Sequence, residues 1–419
     1  MLEGARAVGH GFRALGNRNY RLFWSGQLVS VAGTWMQDTA LALLVLHLTN
    51  SPLALGLTMT FRYLPTLVFS LLGGVLADRL PKRAALIATQ SAQTLIALAL
   101  AILSSTGAIT VALIYGLAAL RGTVDAVDMP TRQAFTVEMV GPKDLPNAVA
   151  LNSMQFNVAR IVGPAIAAIV IATVGTAICF YLNAASFLAV IGAYVVMRER
   201  DLFPVPRALH AGAFRQVRQG LRYAVTTPDV LVILVVMAAI GTFGYNFQTM
   251  LPLIATYVLH TGAPGLSLLL AAMGIGSVAA GLLVAYRGKA TLRMLLVAAA
   301  LFTGVLFVIG LSHWQPLSAA LVFLMGISGV LFMTTANTRL QLVVPGEMRG
   351  RVMGMYTLLF AGTTPIGSAL VGLLAEKTGV AAMIMEMAGL CALGVVAALW
   401  YARHRRSVPL VGSVERAEE

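Results

Sequence analysis

Charge is scarce in this chain. Only 11% of its 419 residues are Asp, Glu, Lys or Arg, and the acids number 16 against 29 cations. A soluble chain of this length would form two or three domains. A hydrophobic fraction of 58% and a mean hydropathy of +0.84 exclude that reading. Cysteine is scarcer still: Cys179 and Cys391 both fall in apolar runs and read as buried small hydrophobes, with no disulfide framework. The six histidines (His10, His47, His210, His260, His313 and His404) lie at ends or in links. No H-E-x-x-H, G-x-S-x-G or Walker A sequence occurs, so neither an intramembrane enzyme nor an ATP-driven pump is expected. The first twenty residues are too polar and Arg-dotted for a cleaved signal peptide. Phe12, Leu15, Tyr20 and Leu22 with Arg13, Arg18 and Arg21 read instead as a short interfacial helix.

What is abundant is the apolar run of about twenty residues, long enough to cross roughly 30 Å of hydrocarbon as a helix. Twelve spans are expected, at 22–47, 53–78, 84–104, 109–129, 147–173, 177–197, 229–258, 266–286, 292–312, 317–339, 350–374 and 379–402. Of the 29 cations, 25 sit on alternate links, and the opposite links carry only Lys377. This bias places both termini in the cytoplasm. The net charge of +13 is therefore topology, with some attraction to anionic lipid, and not a nucleic-acid surface. The polar link 198–228 divides an interfacial segment 1–21 and a bundle 22–197 from a second bundle 229–402 and a tail 403–419. An amphipathic surface helix is expected near 214–226.

The halves repeat. A shift of 207 residues lays Gly281-Leu282-Leu283, with Arg287 and Lys289, on Gly74-Val75-Leu76 and its basic loop, and Thr338-Arg339 on Thr131-Arg132. Ala285 stands where Asp78 would fall. Such parallel repeats imply substrate between the halves at mid-depth. An ionisable group in that depth is expensive and usually functional. The candidates are Asp38, Arg62, Arg121, Asp125, Arg160 and Glu386, with Asp128 near the end of span 4. Arg121 and Asp125 are spaced to pair along one helix face, and Asp38 offers Arg121 a competing partner. A carboxylate that exchanges an arginine for a proton has two states, as proton antiport requires; a static pair that fixes packing is the other reading. Arg62 and Arg160 read as snorkelling cations or as anchors for an anionic group on a substrate. Trp35, Gln37, Phe243, Asn246, Phe247 and Gln248 are candidate cavity residues for a bulky, mostly apolar ligand.

The stretch from Gly73-Gly74 through Asp78-Arg79-Leu80-Pro81-Lys82-Arg83 resembles the G-x-L-A-D-R-x-G-R-K/R loop of the major facilitator superfamily, with Pro81 near the second glycine. Leu120-Arg121-Gly122 resembles the family's span-4 pattern, in which the Arg of exporters is implicated in proton transfer. Ala159-Arg160-Ile161-Val162-Gly163-Pro164 is similar to the antiporter motif G-x-x-x-G-P-x-x-G-G, with Ala at the later glycines. Asn19-Tyr20-Arg21-Leu22-Phe23-Trp24, Asp128-Met129-Pro130-Thr131-Arg132-Gln133 and Arg349-Gly350-Arg351-Val352-Met353-Gly354 resemble the branch of bacterial enterobactin exporters and macrolide efflux proteins. The resemblance implies an all-α fold of two six-helix pseudo-symmetric bundles. It also implies a gating network of Gly74, Asp78, Arg79, Arg83, Arg132, Arg339 and Arg351, and a proton gradient in place of any cofactor. The expected protein is a monomeric, proton-coupled exporter in the bacterial inner membrane, moving a small amphipathic siderophore, metabolite or drug. Uptake or facilitated passage is the alternative, and a sensor without transport activity is less expected because the tail after Trp400 is short.

Overall fold

The computed structural model describes residues 12–203, 213–287 and 290–406. Eleven segments are long and apolar enough to cross a membrane. One of these, Val111–Val174, has 64 residues and bends at Gly141, whose φ of 71° lies in the left-handed region. Its arms are two spans, so twelve result. Span 1 is Arg18–Thr49, span 2 Pro52–Arg79, span 3 Lys82–Ser105, spans 4 and 5 the arms on either side of Gly141, and span 6 Thr176–Val196. After the surface helix Ala213–Thr226 come span 7 (Pro228–Val258), span 8 (Gly262–Arg287), span 9 (Leu292–Leu311), span 10 (Gln315–Val343), span 11 (Gly346–Thr378) and span 12 (Val380–Arg406).

The ends follow local chemistry. Span 1 stops at Asn50 in the left-handed conformation, φ 48°, a conformation Asn tolerates. Span 2 starts at once: the Ser51 hydroxyl accepts from the Ala54 amide, and Pro52 takes the first turn, where its missing N–H costs nothing. The expected interfacial helix is not what forms. Arg13–Gly16 is a single 3-10 turn, and Tyr20 is fully buried, its hydroxyl donating to Ala148 O at 2.9 Å. The turn is held by Arg13, 2.5 Å from Asp144.

Spans 4 and 5 also depart from expectation, since neither stops at the predicted link of 130–146. The helix runs through Pro130 to the bend, and Pro142 opens the next arm directly after Gly141. Pro130 has no N–H to give the carbonyl of Ala126. Gly73 of span 2 packs on that carbonyl, so closely that a Cβ there would collide with it. Among the loop glycines Gly73 makes the close approach, whereas Gly74 faces open space. Gly122 sits equally tight on Arg62 O, and in the second half Gly276 and Gly326 of spans 8 and 10 meet Phe323 O and Met273 O. In lipid there is little hydrophobic drive between helices, and such small-residue contacts hold them together.

Spans 1–6 pack on one another, as do spans 7–12, and the halves meet where span 2 crosses span 11 and span 5 crosses span 8. Ser51 Oγ and the Leu53 amide donate to Glu376 at 2.9 and 3.2 Å, and Tyr257 donates to Asn50 at 3.1 Å. Thr60 donates to Pro365 O at 3.0 Å, Ser267 to Pro164 O, and Tyr63 to Gln248 at 2.5 Å. Gly56 and Gly372 touch, leaving no room for a Cβ on either. All of these bonds lie at mid-depth or toward the face with few cations. Among the described residues the side-chain bonds between the halves all lie on this closed side, and none is seen at the cation-rich face.

Candidate functional site: a buried charge network under an apolar pocket

Asp38 is placed by the middle of span 1, 8% exposed. Gly33 lets that span approach span 6, its Cα against Ser186 and Asn183, and Gly163 of span 5 packs on Ala32 O and Trp35 Cβ. Held between these neighbours, the carboxylate meets two arginines. Arg121 Nη1 donates to Asp38 Oδ1 at 2.5 Å, and Arg62 Nη2 stands 4.0 Å from Oδ2. Arg62 in turn reaches Asp125 at 3.3 Å, as an ion pair whose angle makes no hydrogen bond. Asp125 accepts from Gln93 of span 3 at 2.7 Å.

The pairing Arg121–Asp125, suggested by their spacing along one helix, does not form. The carboxylates of span 4 point toward spans 2 and 3, and Arg121 turns to span 1. Two acids and two arginines thus make a chain, Arg121–Asp38–Arg62–Asp125, in which formal charge balances. A buried charge is tolerated when it is paired and hydrogen-bonded. Arg62 is the member shared between both acids, so loss of charge on either one leaves it a second partner.

Asp38 also lines a small pocket with Trp35, Thr39, Met59, Phe247, Gln248, Pro252, Leu266 and Leu270. Trp35 stands edge-on to Phe156 at 5.6 Å, and Phe247 meets Tyr245 and Phe302 with its ring tilted, Tyr245 in turn standing edge-on to Phe360. Three of the expected cavity residues, Trp35, Phe247 and Gln248, are therefore at the pocket. The others are elsewhere. Gln37 accepts from Asn183 at 2.8 Å and lines a second pocket with Arg62 and Arg121. Asn246 is 2% exposed and bonds Thr242 O and Ser368 inside its own half, where Phe243 also packs. Glu386 does not join this network: it is the seventh residue of span 12, exposed, accepting from Thr378 at 3.3 Å.

Tyr63 and Gln93 went unnoticed in the sequence. Tyr63 holds both sides, its ring 5.4 Å from the Arg62 guanidinium and its hydroxyl on Gln248 across the halves. The signal was present, since polar side chains in apolar runs are informative whether or not they ionise. Asp128 is 2% exposed and answers Thr89, Gln90 and Arg132 at 2.7, 2.8 and 3.1 Å.

The loop and rim residues bond within their own half. Arg83 donates to Tyr194 O and Val195 O, both at 2.7 Å, and to Glu199 at 2.8 Å. Arg132 meets Asp128 and Gln27, Arg339 meets Asp229 at 3.1 Å, and Arg351 meets the Met348 sulfur at 3.0 Å. Arg79 is exposed, and the Asp78 side chain lies outside the described residues.

This architecture is shared with known transporters. The fold matches a solved POT family transporter in complex with a thioalcohol-conjugated peptide, with TM-score 0.73 and 12% identity, covering 92% of this chain and 96% of that one. By sequence the chain is 25% identical to the staphyloferrin A transporter of Staphylococcus aureus, over 86% of this chain and 90% of the relative. It is 28% identical to the multidrug efflux pump Tap of Mycolicibacterium fortuitum, over 88% and 92%. It is 24% identical to the enterobactin exporter EntS of Salmonella choleraesuis, over 92% and 93%. The model of the transmembrane secretion effector family matches residues 10–414, a stretch that takes in all twelve spans and the charge network. The chain therefore belongs to the transmembrane secretion effector family of the major facilitator superfamily, and it is an integral membrane transporter, not an enzyme.

Proposed function

We propose that this transporter is a proton-coupled exporter of small amphipathic compounds, with Asp38 as the group that exchanges an arginine for a proton. One observation carries the reading: Asp38 belongs both to the buried arginine network and to the wall of the apolar pocket. Ligand entering that pocket and proton binding at that carboxylate are therefore coupled by contact. With Asp38 ionised, Arg121 and Arg62 are both held on span 1. With Asp38 protonated, Arg62 keeps Asp125 and Arg121 loses its carboxylate, which loosens spans 2 and 4 from span 1. Alternating access then needs the bonds at the cation-poor face to open while the cation-rich face closes.

The positive-inside bias supports a cytoplasmic assignment for the cation-rich face and for both termini. The face at which the halves are bonded to each other is then the outer one, which suits a carrier that takes cargo from inside the cell. In that orientation Asp78, with Arg79, Arg83, Arg132, Arg339 and Arg351, forms the latch of the opposite, outward-facing state, at the bacterial inner membrane. Relatives named for siderophore transport and for multidrug efflux support an amphipathic cargo. The chain works as a monomer, each copy holding its own path between its halves.

The test is accumulation of ethidium and of a catecholate ferric chelator in everted membrane vesicles, with and without an imposed pH gradient. Export coupled to protons gives gradient-dependent accumulation that Asp38→Asn removes. Accumulation indifferent to the gradient would make the acids structural and the protein a facilitator.

A further inference from the structure

The second pocket of the first half shares no lining residue with the pocket that has Asp38 in its wall. Its polar wall is Gln37, Arg62 and Arg121, and apolar side chains of spans 1, 3 and 4, such as Leu41, Leu100 and Ala118, close the rest. It has room for about one water-sized particle. Arg121 lines this pocket and Asp38 the other, so their ion pair stands between the two.

The polar wall offers donors and no acceptor. Arg62 and Arg121 are 8% and 4% exposed, and a guanidinium carries donors alone. Arg62 Nε and Nη1 are buried without a hydrogen bond. Arg121 gives Nη1 and Nη2 to Asp38, and its Nε makes no bond among the described residues. The Gln37 carbonyl is already taken by Asn183 at 2.8 Å, which leaves the amide nitrogen. A water needs acceptors for its own protons, whereas a small anion accepts from every side.

Charge sets the timing. With both acids ionised the chain Arg121–Asp38–Arg62–Asp125 is neutral, and an added anion is surplus. With Asp38 protonated one buried cation is surplus, which is costly until something balances it. The other ionisable groups around the network are Tyr63, beside Arg62 on span 2, and Arg160 of span 5, which forms no ion pair among the described residues. Asp128 and Arg132, further along span 4, answer each other. Spans 3, 6, 7 and 8 bring the neutral side chains Gln93, Asn183, Gln248 and Leu270.

We propose that this pocket is a site for a small inorganic anion of chloride size, filled when Asp38 takes a proton. One proton and one anion then load together, and the first half stays balanced in charge through the cycle. The timing rests on the exchange at Asp38 proposed above, and the donors of the wall stand without it.

The experiment is isothermal titration of full-length protein in zwitterionic nanodiscs with sodium chloride, against sodium gluconate at equal ionic strength, at acid and at alkaline pH. A pH dye in weakly buffered solution reads the protons taken up on mixing. Chloride binds the wild type about tenfold more tightly at acid pH, the scale of one unit of proton linkage, and draws protons from solution as it binds. Gluconate, too large for the cavity, does neither. Asp38→Asn binds chloride equally at both pH values and draws no proton. Ala118→Leu fills the cavity and loses chloride. Gln37→Met removes the amide donor at similar size, weakens binding several-fold, and serves if Ala118→Leu fails to fold. Chloride that behaves as gluconate does in both the wild type and Asp38→Asn, including no binding at all, overturns the proposal. So does chloride binding that survives unchanged in Ala118→Leu and Gln37→Met, which would mark an adventitious ion only. Chloride bound by Asp38→Asn and by the wild type at no pH would support the site and count against proton exchange at Asp38.

Discussion

The two halves of this transporter share a scaffold and differ in what they bury. Among the described residues, every charged side chain buried in the spans (Asp38, Arg62, Arg121, Asp128 and Arg160) belongs to the first half. The described polar groups buried in the second half are neutral, among them Asn246, Thr249 and Ser368, beside the rings of Tyr245, Phe247, Phe302 and Phe360. Its span 7 is also the least regular helix, with two π-helical turns at Ile240–Gly244 and Ile254–Val258. Wide turns of this kind gather at functional sites. Two copies of one frame thus differ in content: one holds ionisable groups at depth, and the other is apolar and aromatic. Coupling is then a question of how the charged half senses what the apolar half holds.

The asymmetry is broken most severely at Asp38. Asp38→Asn is expected to abolish gradient-driven accumulation in everted vesicles, whereas Glu386→Gln, at an exposed site of the second half, should leave it within about twofold. Equal losses in the two variants would remove the distinction between the halves. Arg121→Ala leaves Arg62 alone to answer both Asp38 and Asp125, a defect of up to about 3–5 kcal/mol, visible as a lowered midpoint in thermal unfolding. The double variant with Asp38→Asn should recover much of that loss, because Arg62 and Asp125 then balance with no surplus acid.

The closed face offers a milder intervention. A Cβ on Gly56 would lie 2.5 Å from Ser368 O and 2.8 Å from Gly372 Cα. Gly56→Leu should therefore hold the cation-poor face open, and a cysteine introduced by Leu53→Cys should then react faster with a membrane-impermeant maleimide. Native Cys179 and Cys391 are both fully buried and add little background. Least in size is Tyr63→Phe, which deletes the one mid-depth hydrogen bond between the charge network and span 7. Its expected effect is about 0.5–1.5 kcal/mol, a several-fold change in the same maleimide rate with the fold's unfolding midpoint nearly unmoved.

Much of this was legible in the sequence because lipid imposes strict rules. Apolar length marked the spans, and the rarity of charge at depth marked Asp38, Arg62, Arg121 and Arg160. What spacing along one helix does not encode is rotation between helices. Arg121 and Asp125 share a face in principle, yet the glycine contacts Gly122–Arg62 O and Gly73–Ala126 O fix span 4 against span 2 and send Asp125 to Arg62 instead. Glu386 stands apart for a related reason: it falls inside an apolar run, but the rotation of span 12 leaves it exposed and bonded to Thr378 instead of facing the network. The link expected at 130–146 stays helical instead, because Gly141 alone takes the turn. The π-helical turns of span 7 have no sequence signature in this chain.

Asp38 exchanging an arginine for a proton is most directly tested by infrared difference spectroscopy of the purified protein across a pH titration. Exchange predicts a carboxylic acid C=O stretch that grows as pH falls, is absent in Asp38→Asn, and persists in Asp125→Asn. A band that survives unchanged in Asp38→Asn, or no band at any pH at which the protein stays folded, would contradict it.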